Sequence, residues 1–182
     1  MRIITGAARG VRLAPVPSGV RPTSDRVRES LFNSLGQFFD GGAVLDLYAG
    51  TGALGIEALS RGCDRAVFVE RDGNAVATIR DNLRRTGFED GAEVIRGDSL
   101  RSLETLRDKG CSFRLILLDP PYKIAAAAAE NALARSPALL TPDGQVVVES
   151  GDEPEGSTHG KGGITRRYGG TFVTIFGRHE LL

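Results

Sequence analysis

From residue 43 onward, short continuous apolar runs alternate with longer stretches whose apolar positions recur every three or four residues. Val44, Leu45 and Leu47 form a run of buried-strand length, and Ala53, Leu54, Ile56, Ala58 and Leu59 then open a helical pattern that Gly62 can cap. Arg65–Glu70 (RAVFVE) predicts a second strand, and Val76, Ile79 and Leu83 lay an apolar stripe on a helix that Gly87 should end. Ala92–Arg96 (AEVIR) predicts a third strand, residues 99–109 a helix, and Phe113–Leu118 a fourth strand. Residues 125–133 are alanine-rich and helical by propensity, and residues 145–149 (QVVVE) predict a fifth strand. This order predicts an α/β, doubly wound, mostly parallel sheet, in which ligands sit at the carboxyl ends of the strands.

The two ends of the chain break that alternation. The β-prone runs 2–5 and 11–13 flank residues 6–10 and predict a small hairpin, followed by a proline-bearing loop. Ser24 is a candidate N-cap, and Val27, Leu31, Leu35 and Phe38 then predict an amphipathic helix to about Phe38, closed off by Gly41 and Gly42. Residues 1–39 are therefore expected to extend a main domain of residues 40–182. At the other end, residues 151–163 carry five glycines and predict a loop. Ile164–Tyr168 and 171–176, separated by Gly169-Gly170, predict an antiparallel hairpin on the sheet edge.

Charge changes the picture only locally. Lys plus Arg equals Asp plus Glu at 23 each, so no global field attracts a polyanion, but residues 1–39 carry six arginines against two acids. Arg9, Arg12, Arg21 and Arg28 are the candidate phosphate contacts; a solvated face whose arginines pair with neighbouring acids is the alternative. No run approaches a membrane span or a signal peptide, so a cytoplasmic, soluble protein is expected. Cys63 and Cys111 lack metal spacing and read as buried free thiols; His159 and His179 read as surface residues; no metal site is expected.

The first chemical motif is VLDLYAGTGALG at residues 44–55. Gly50, Gly52 and Gly55 keep the G-x-G-x-x-G spacing at a strand-to-helix turn, and Glu70 follows 20 residues after Gly50, where an acid can hold ribose hydroxyls. Both features suit NAD and S-adenosylmethionine equally. Asp46 favours the second, because a carboxylate at the strand mouth repels a pyrophosphate and attracts an ammonium group. Asp46, Glu70, Asp98 and Asp119 each close or follow a predicted strand, so four acids should line one edge.

The second motif is Asp119-Pro120-Pro121-Tyr122, straight after the fourth strand. The prolines fix their own φ and hold the Asp119 carboxylate and the Pro120 carbonyl in a set geometry. Two acceptors and the Tyr122 ring suit a planar exocyclic amine, whose two hydrogens meet the acceptors while the base stacks. Bending that amine toward tetrahedral geometry localises its lone pair for attack on a sulfonium methyl.

VLDLYAGTGALGIEAL, the strand ending in Glu70, and LLDPPY resemble class I S-adenosylmethionine-dependent methyltransferases of the amino-methylating group. MRIITGAARG and RPTSDRVRESLFNSL are similar to the RsmD family, which methylates the guanine N2 amine in small-subunit (16S) ribosomal RNA. The matches cover most of residues 1–150, and YGGTFVTIF resembles the family's closing strand; the Gly-rich stretch 151–163 departs from it. The resemblance implies a Rossmann-like methyltransferase domain at 40–182 and a monomer acting on 16S RNA within a small-subunit assembly particle. It implies that Asp46 and the turn Tyr48, Ala49, Gly50, Thr51 and Gly52 hold the methionine part of S-adenosylmethionine. Glu70 would hold the ribose, Arg71 would flank the adenine, Asp98 and Ser99 would reach its edge, and Asp119 to Tyr122 would hold the target base. A DNA adenine or a protein amide as substrate, an NAD-linked oxidoreductase and a non-catalytic RNA-binding module remain the alternatives.

Overall fold

The alternation of the apolar runs sets the layers. In a strand, successive side chains face opposite sides, so Leu115 and Leu117 fall on one face while Ile116 and Leu118 fall on the other. Both faces are apolar, and both are covered by helices. The computed structural model describes residues 1–16, 24–121, 124–151 and 162–182; Arg21, Tyr122, His159 and most of the stretch 151–163 lie outside the described residues.

The elements run α1 (Asp25–Leu35), β1 (Ala43–Leu47), α2 (Ala53–Ser60), β2 (Arg65–Glu70), α3 (Gly73–Thr86), β3 (Ala92–Arg96), α4 (Ser99–Asp108), β4 (Phe113–Leu118), α5 (Ala125–Arg135), β5 (Leu140–Ser150), β6 (Ile164–Tyr168), β7 (Thr171–Gly177) and α6 (Arg178–Leu181). They form one sheet in the order β3-β2-β1-β4-β5-β7-β6, parallel through β5, with β7 antiparallel to β5 and β6 antiparallel to β7. The strand order reverses beside β1, so the connections leaving β1 and β4 diverge to opposite faces and open a crevice at their carboxyl ends. The predicted doubly wound sheet and its terminal hairpin are both present. No helix among the described residues is long and apolar enough to cross a membrane.

Three boundaries differ from expectation. Helix α1 stops at Leu35 because Gly36 takes φ +101°, and Phe38 is left 61% exposed. Strand β5 begins at Leu140, and its register with β4 shifts at Phe113/Leu115, so the segment Thr141-Pro142-Asp143-Gly144 bulges inside the strand. The amino-terminal hairpin is reduced to a bridge between Arg2 and Arg12 around the bonds Ile3 N–H to Val11 O and Gly10 N–H to Ile3 O. Cys63 is buried, which pushes its thiol up to about 12; Cys111 is only half-buried.

The amino-terminal segment is clamped to α2. Glu57, fully buried, accepts from Ile4 N–H at 2.9 Å and Thr5 N–H at 3.1 Å, while Ser60 Oγ accepts from Ala8 N–H at 3.0 Å. Ile3, Ala8 and Leu13 join Leu31, Phe32, Val44 and Ile56 in the core on this face.

Candidate functional site

The crevice is built from the carboxyl ends of β1, β2, β3 and β4. Asp46 is the fourth residue of β1 and is turned toward α2. It is 1% exposed, and its Oδ2 accepts from Gly55 N–H at 2.9 Å, so the strand's carboxylate caps the first turn of the helix. Burial pushes its carboxyl well above the usual range; the Gly55 bond opposes this, and the negative charges of Asp119 and Glu70 reinforce it.

Between β1 and α2 the chain makes a turn of three left-handed residues, Tyr48 (φ 62°), Gly50 (φ 55°) and Gly52 (φ 76°). Three amides of that turn are already committed. Ala49 N–H donates to Val69 O, Gly50 N–H to Glu70 Oε2 at 2.9 Å, and Gly52 N–H to Ala49 O. The other oxygen of Glu70 accepts from Arg71 and Asp72 N–H at 2.7 and 2.9 Å. A pyrophosphate needs such N–H groups aimed at it, and here those of Ala49, Gly50 and Gly52 are consumed by protein acceptors.

The far wall comes from β3 and α4. Asp98 Oδ1 caps α4 by accepting from Leu100 and Arg101 N–H. Ser99 stands beside the Tyr48 hydroxyl on this wall. Burial raises the Tyr48 phenol, the neighbouring Ser99 hydroxyl opposes that rise, Asp98 adds to it and the Arg71 guanidinium lowers it.

The near wall is the turn after β4. Asp119 is half-buried, Pro120 buried and Pro121 exposed, and Pro121 O accepts from Ile124 N–H at 3.0 Å. Ile124 is 50% exposed and forms an apolar rim at the mouth. The resulting cleft encloses about 930 Å³. It brings together Asp46, Tyr48, Ala49, Gly50, Thr51, Glu70, Arg71, Asp98, Ser99, Asp119, Pro120 and Pro121. Among the described residues, six carboxylates line it against two guanidinium groups, those of Arg71 and Arg96. Such a cleft favours a cationic ligand over a phosphate-bearing one. Among the described residues no group of three His, Cys, Asp or Glu side chains could hold a metal ion.

Several expectations need correction. Gly52 does not line the cleft: an added Cβ there would lie 3.3 Å from Ile79 and Phe68, so this glycine faces the core and shapes the turn. Arg28 is no phosphate contact, because it is fully buried; its Nη2 donates to Arg2 O at 2.7 Å and to Asp25 Oδ1 at 2.6 Å, and Nη1 stands 3.8 Å from Glu57. Arg9 and Arg12 are exposed. The loop carrying Arg9 is tied to Ser60, the last residue of α2, at the opposite edge of the sheet from the cleft.

Two residues escaped the sequence reading. Asn82, fully buried, accepts from Ala14 N–H at 2.7 Å and donates to Thr51 O at 2.8 Å, tying the amino-terminal segment to the Gly-rich turn. Its signal was a polar residue inside the apolar stripe of α3. Glu149 closes the run QVVVE and lines the cleft beside the other acids, so the strand-end pattern that picked out four carboxylates extends to a fifth.

Comparisons with known proteins agree with this geometry. The family model described as "Conserved hypothetical protein 95" matches residues 1–177. The "Putative rRNA methyltransferase YlbH" of Bacillus subtilis is 43% identical over 97% of this chain and 98% of its own length. The "Ribosomal RNA small subunit methyltransferase D" of Haemophilus influenzae is 36% identical over 82% of this chain and 78% of its own length. A solved hypothetical protein of Thermus thermophilus superposes with a TM-score of 0.84 at 35% identity, covering 97% of this chain and 99% of that one.

Proposed function

The chain belongs to the RsmD family, described as conserved hypothetical protein 95, and on that premise we propose that it moves the methyl group of S-adenosylmethionine to the exocyclic N2 amine of a guanine in 16S ribosomal RNA. One observation carries the reading of the site: the buried Asp46, Glu70 with the Gly50 amide committed to it, and the Asp119-Pro120-Pro121 turn line one acid-lined cleft. That cleft suits a ligand bearing ammonium and sulfonium charges and opposes a dinucleotide.

Bound S-adenosylmethionine supplies a methyl group on a positively charged sulfur that departs as a neutral thioether. Asp46 would accept from its ammonium group, Glu70 from the ribose hydroxyls, and Asp98 with Ser99 would reach the adenine edge beside Arg71. On the other wall, the Asp119 carboxylate and the Pro120 carbonyl accept the two hydrogens of the target amine. These acceptors hold the nitrogen lone pair toward the methyl group and stabilise the positive charge that grows on nitrogen during transfer. Once the N–C bond is made, one N–H proton leaves to Asp119 or to water, restoring a neutral amine. The resemblance assigns stacking on the base to Tyr122, which lies outside the described residues. A guanine in folded RNA has to be extruded to reach this depth. The protein acts as a monomer on a small-subunit assembly particle, with Arg9 and Arg12 meeting phosphates remote from the target base.

The test is transfer of labelled methyl from S-adenosylmethionine to naked 16S RNA, 30S particles and DNA in parallel, followed by nucleoside analysis. Label in N2-methylguanosine is expected. Label in adenine only, or tighter binding of NAD than of S-adenosylmethionine, overturns the assignment.

A further inference from the structure

A second hollow of about 670 Å³ lies beside the cleft, between the amino end of α1 and the β6–β7 turn. Arg26, Ser30, Arg167, Tyr168 and Thr171 line it, and Glu149 lines both hollows, so the two share a wall. The strand register places it at the functional edge. Tyr168 pairs with Thr171 across Gly169-Gly170, and Phe172 pairs with Ser150 at the carboxyl end of β5.

Its charge is the inverse of the cleft's. Arg26 and Arg167 are exposed and neither makes a salt bridge among the described residues. Arg167 is nevertheless fixed: its Nε donates to Gly169 O at 2.9 Å and its guanidinium lies 5.5 Å from the Phe172 ring. A neutral carbonyl and a ring position the cation without cancelling it. One hollow thus collects acids, and its neighbour presents two exposed guanidinium groups, a pre-positioned one and one on an exposed helix turn.

We infer that this groove holds the single-stranded RNA backbone next to the target base, with Arg26 and Arg167 on its phosphates and the Glu149 wall as the point where the base turns into the cleft. The inference rests on the ribosomal RNA reading above. It assigns RNA contact to residues at the mouth of the site, where charge counting along the amino-terminal segment pointed elsewhere. Phosphate contacts of this kind fix register and orientation and leave chemistry to the cleft.

The test measures binding of 16S RNA against potassium chloride concentration, with S-adenosylmethionine affinity by calorimetry, for Arg26→Gln/Arg167→Gln, Arg26→Lys/Arg167→Lys and the remote control Arg107→Gln. Each lost contact should lower the salt slope by about 0.7, so the Gln pair should lose about 1.4. Cofactor affinity should stay unchanged, the Lys pair should restore the slope, and the control should match the parent protein. Arg26→Glu alone, on an exposed helix position, should weaken RNA binding more than Arg26→Gln and carries the test if the double variant fails to fold. A parent-like slope in the Gln pair, while the parent protein methylates ribosomal RNA, removes the groove and leaves the proposed function standing. A parent protein that binds S-adenosylmethionine but neither binds nor methylates ribosomal RNA removes both.

Discussion

The Asp46 carboxylate and the Gly55 amide meet at 2.9 Å across the Gly-rich turn, joining the fourth residue of β1 to the third of α2. This contact explains the third glycine of the motif better than any ligand does. A Cβ at Gly55 would stand 2.4 Å from Phe68 Cε1 and 3.1 Å from Asp46 Oδ2, and Phe68 is wholly buried and cannot retreat. Gly55→Ala should therefore push α2 off the sheet, costing about 1–3 kcal/mol by overpacking and weakening S-adenosylmethionine binding with it. Chemical denaturation and calorimetry on one preparation check both; a stable variant with full affinity would contradict the packing account.

Asp46 itself should trade stability for binding. Its native carboxyl titrates above its ordinary 3.8, mainly through burial, so the folded state keeps a proton that the unfolded chain has released. Stability is then greatest below the unfolded value, falls as pH rises toward the raised native value, and stays reduced above it. Asp46→Asn removes that loss, so its melting temperature at neutral pH should equal or exceed the parent's, with the difference shrinking in acid. Its affinity for S-adenosylmethionine should drop by about 1.5–3 kcal/mol, the worth of a charge-assisted bond, and lose its pH dependence. Parent affinity should weaken as pH falls through the raised native value. Thermal melts and titrations across pH read both effects.

Much of this was legible before the structure because it is local or periodic. Buried parallel strands announce themselves as apolar runs, and the acids at their ends mark the functional edge. Gly36 escaped because periodicity in Leu35 and Phe38 ran across it, while a positive φ ended the helix. Arg28 was misassigned because counting charge along a segment ignores the helical register. It lies one turn before Phe32, and the structure buries both on the face that meets α2. Asn82 was invisible because its partners, Ala14 and Thr51, are 68 and 31 residues distant.

Asn82 is expected to couple fold and site. Asn82→Ala leaves the Ala14 amide and the Thr51 carbonyl without their partner in a buried setting, at about 1–3 kcal/mol for each unsatisfied group. The Gly-rich turn should loosen, so cofactor affinity falls although Asn82 touches no ligand. Hydrogen exchange at the turn amides should accelerate in the same variant; unchanged exchange would detach Asn82 from the site.

The buried cluster under the amino-terminal segment should respond asymmetrically. Glu57 accepts from two backbone amides and from Arg61 Nε at 2.8 Å, with Arg28 at 3.8 Å beyond. Glu57→Ala leaves the buried Arg61 guanidinium without its carboxylate and two backbone amides without their acceptor, and should cost about 3–5 kcal/mol. Arg28→Met leaves Glu57 paired with Arg61 and should cost only about 1–2 kcal/mol, chiefly from the unmet Arg2 carbonyl. The salt slope of RNA binding should not change in Arg28→Met. A lowered slope would restore Arg28 as a phosphate contact.

Asp119 separates binding from chemistry. Its carboxylate shares the cleft with Asp46 closely enough to raise the Asp46 carboxyl, yet it belongs to the turn after β4, opposite the Gly-rich turn. If it accepts from the target amine, its bond strengthens as that nitrogen becomes tetrahedral and positive, so its effect falls on the transition state. Asp119→Ala should slow single-turnover methyl transfer by at least about 10²-fold, in line with loss of a preorganised transition-state partner. S-adenosylmethionine affinity should hold, and the Asp46 carboxyl should titrate lower once the neighbouring charge is gone. Asp119→Asn is the sharper variant, because the amide keeps the shape and one acceptor while its NH₂ opposes the N1 and N2 donors of guanine. A severe loss is expected for guanine and a milder one for adenine, whose single amine leaves the second position open. Near-parent rates in both variants, with the fold intact by circular dichroism, would remove Asp119 from the mechanism and amine methylation with it.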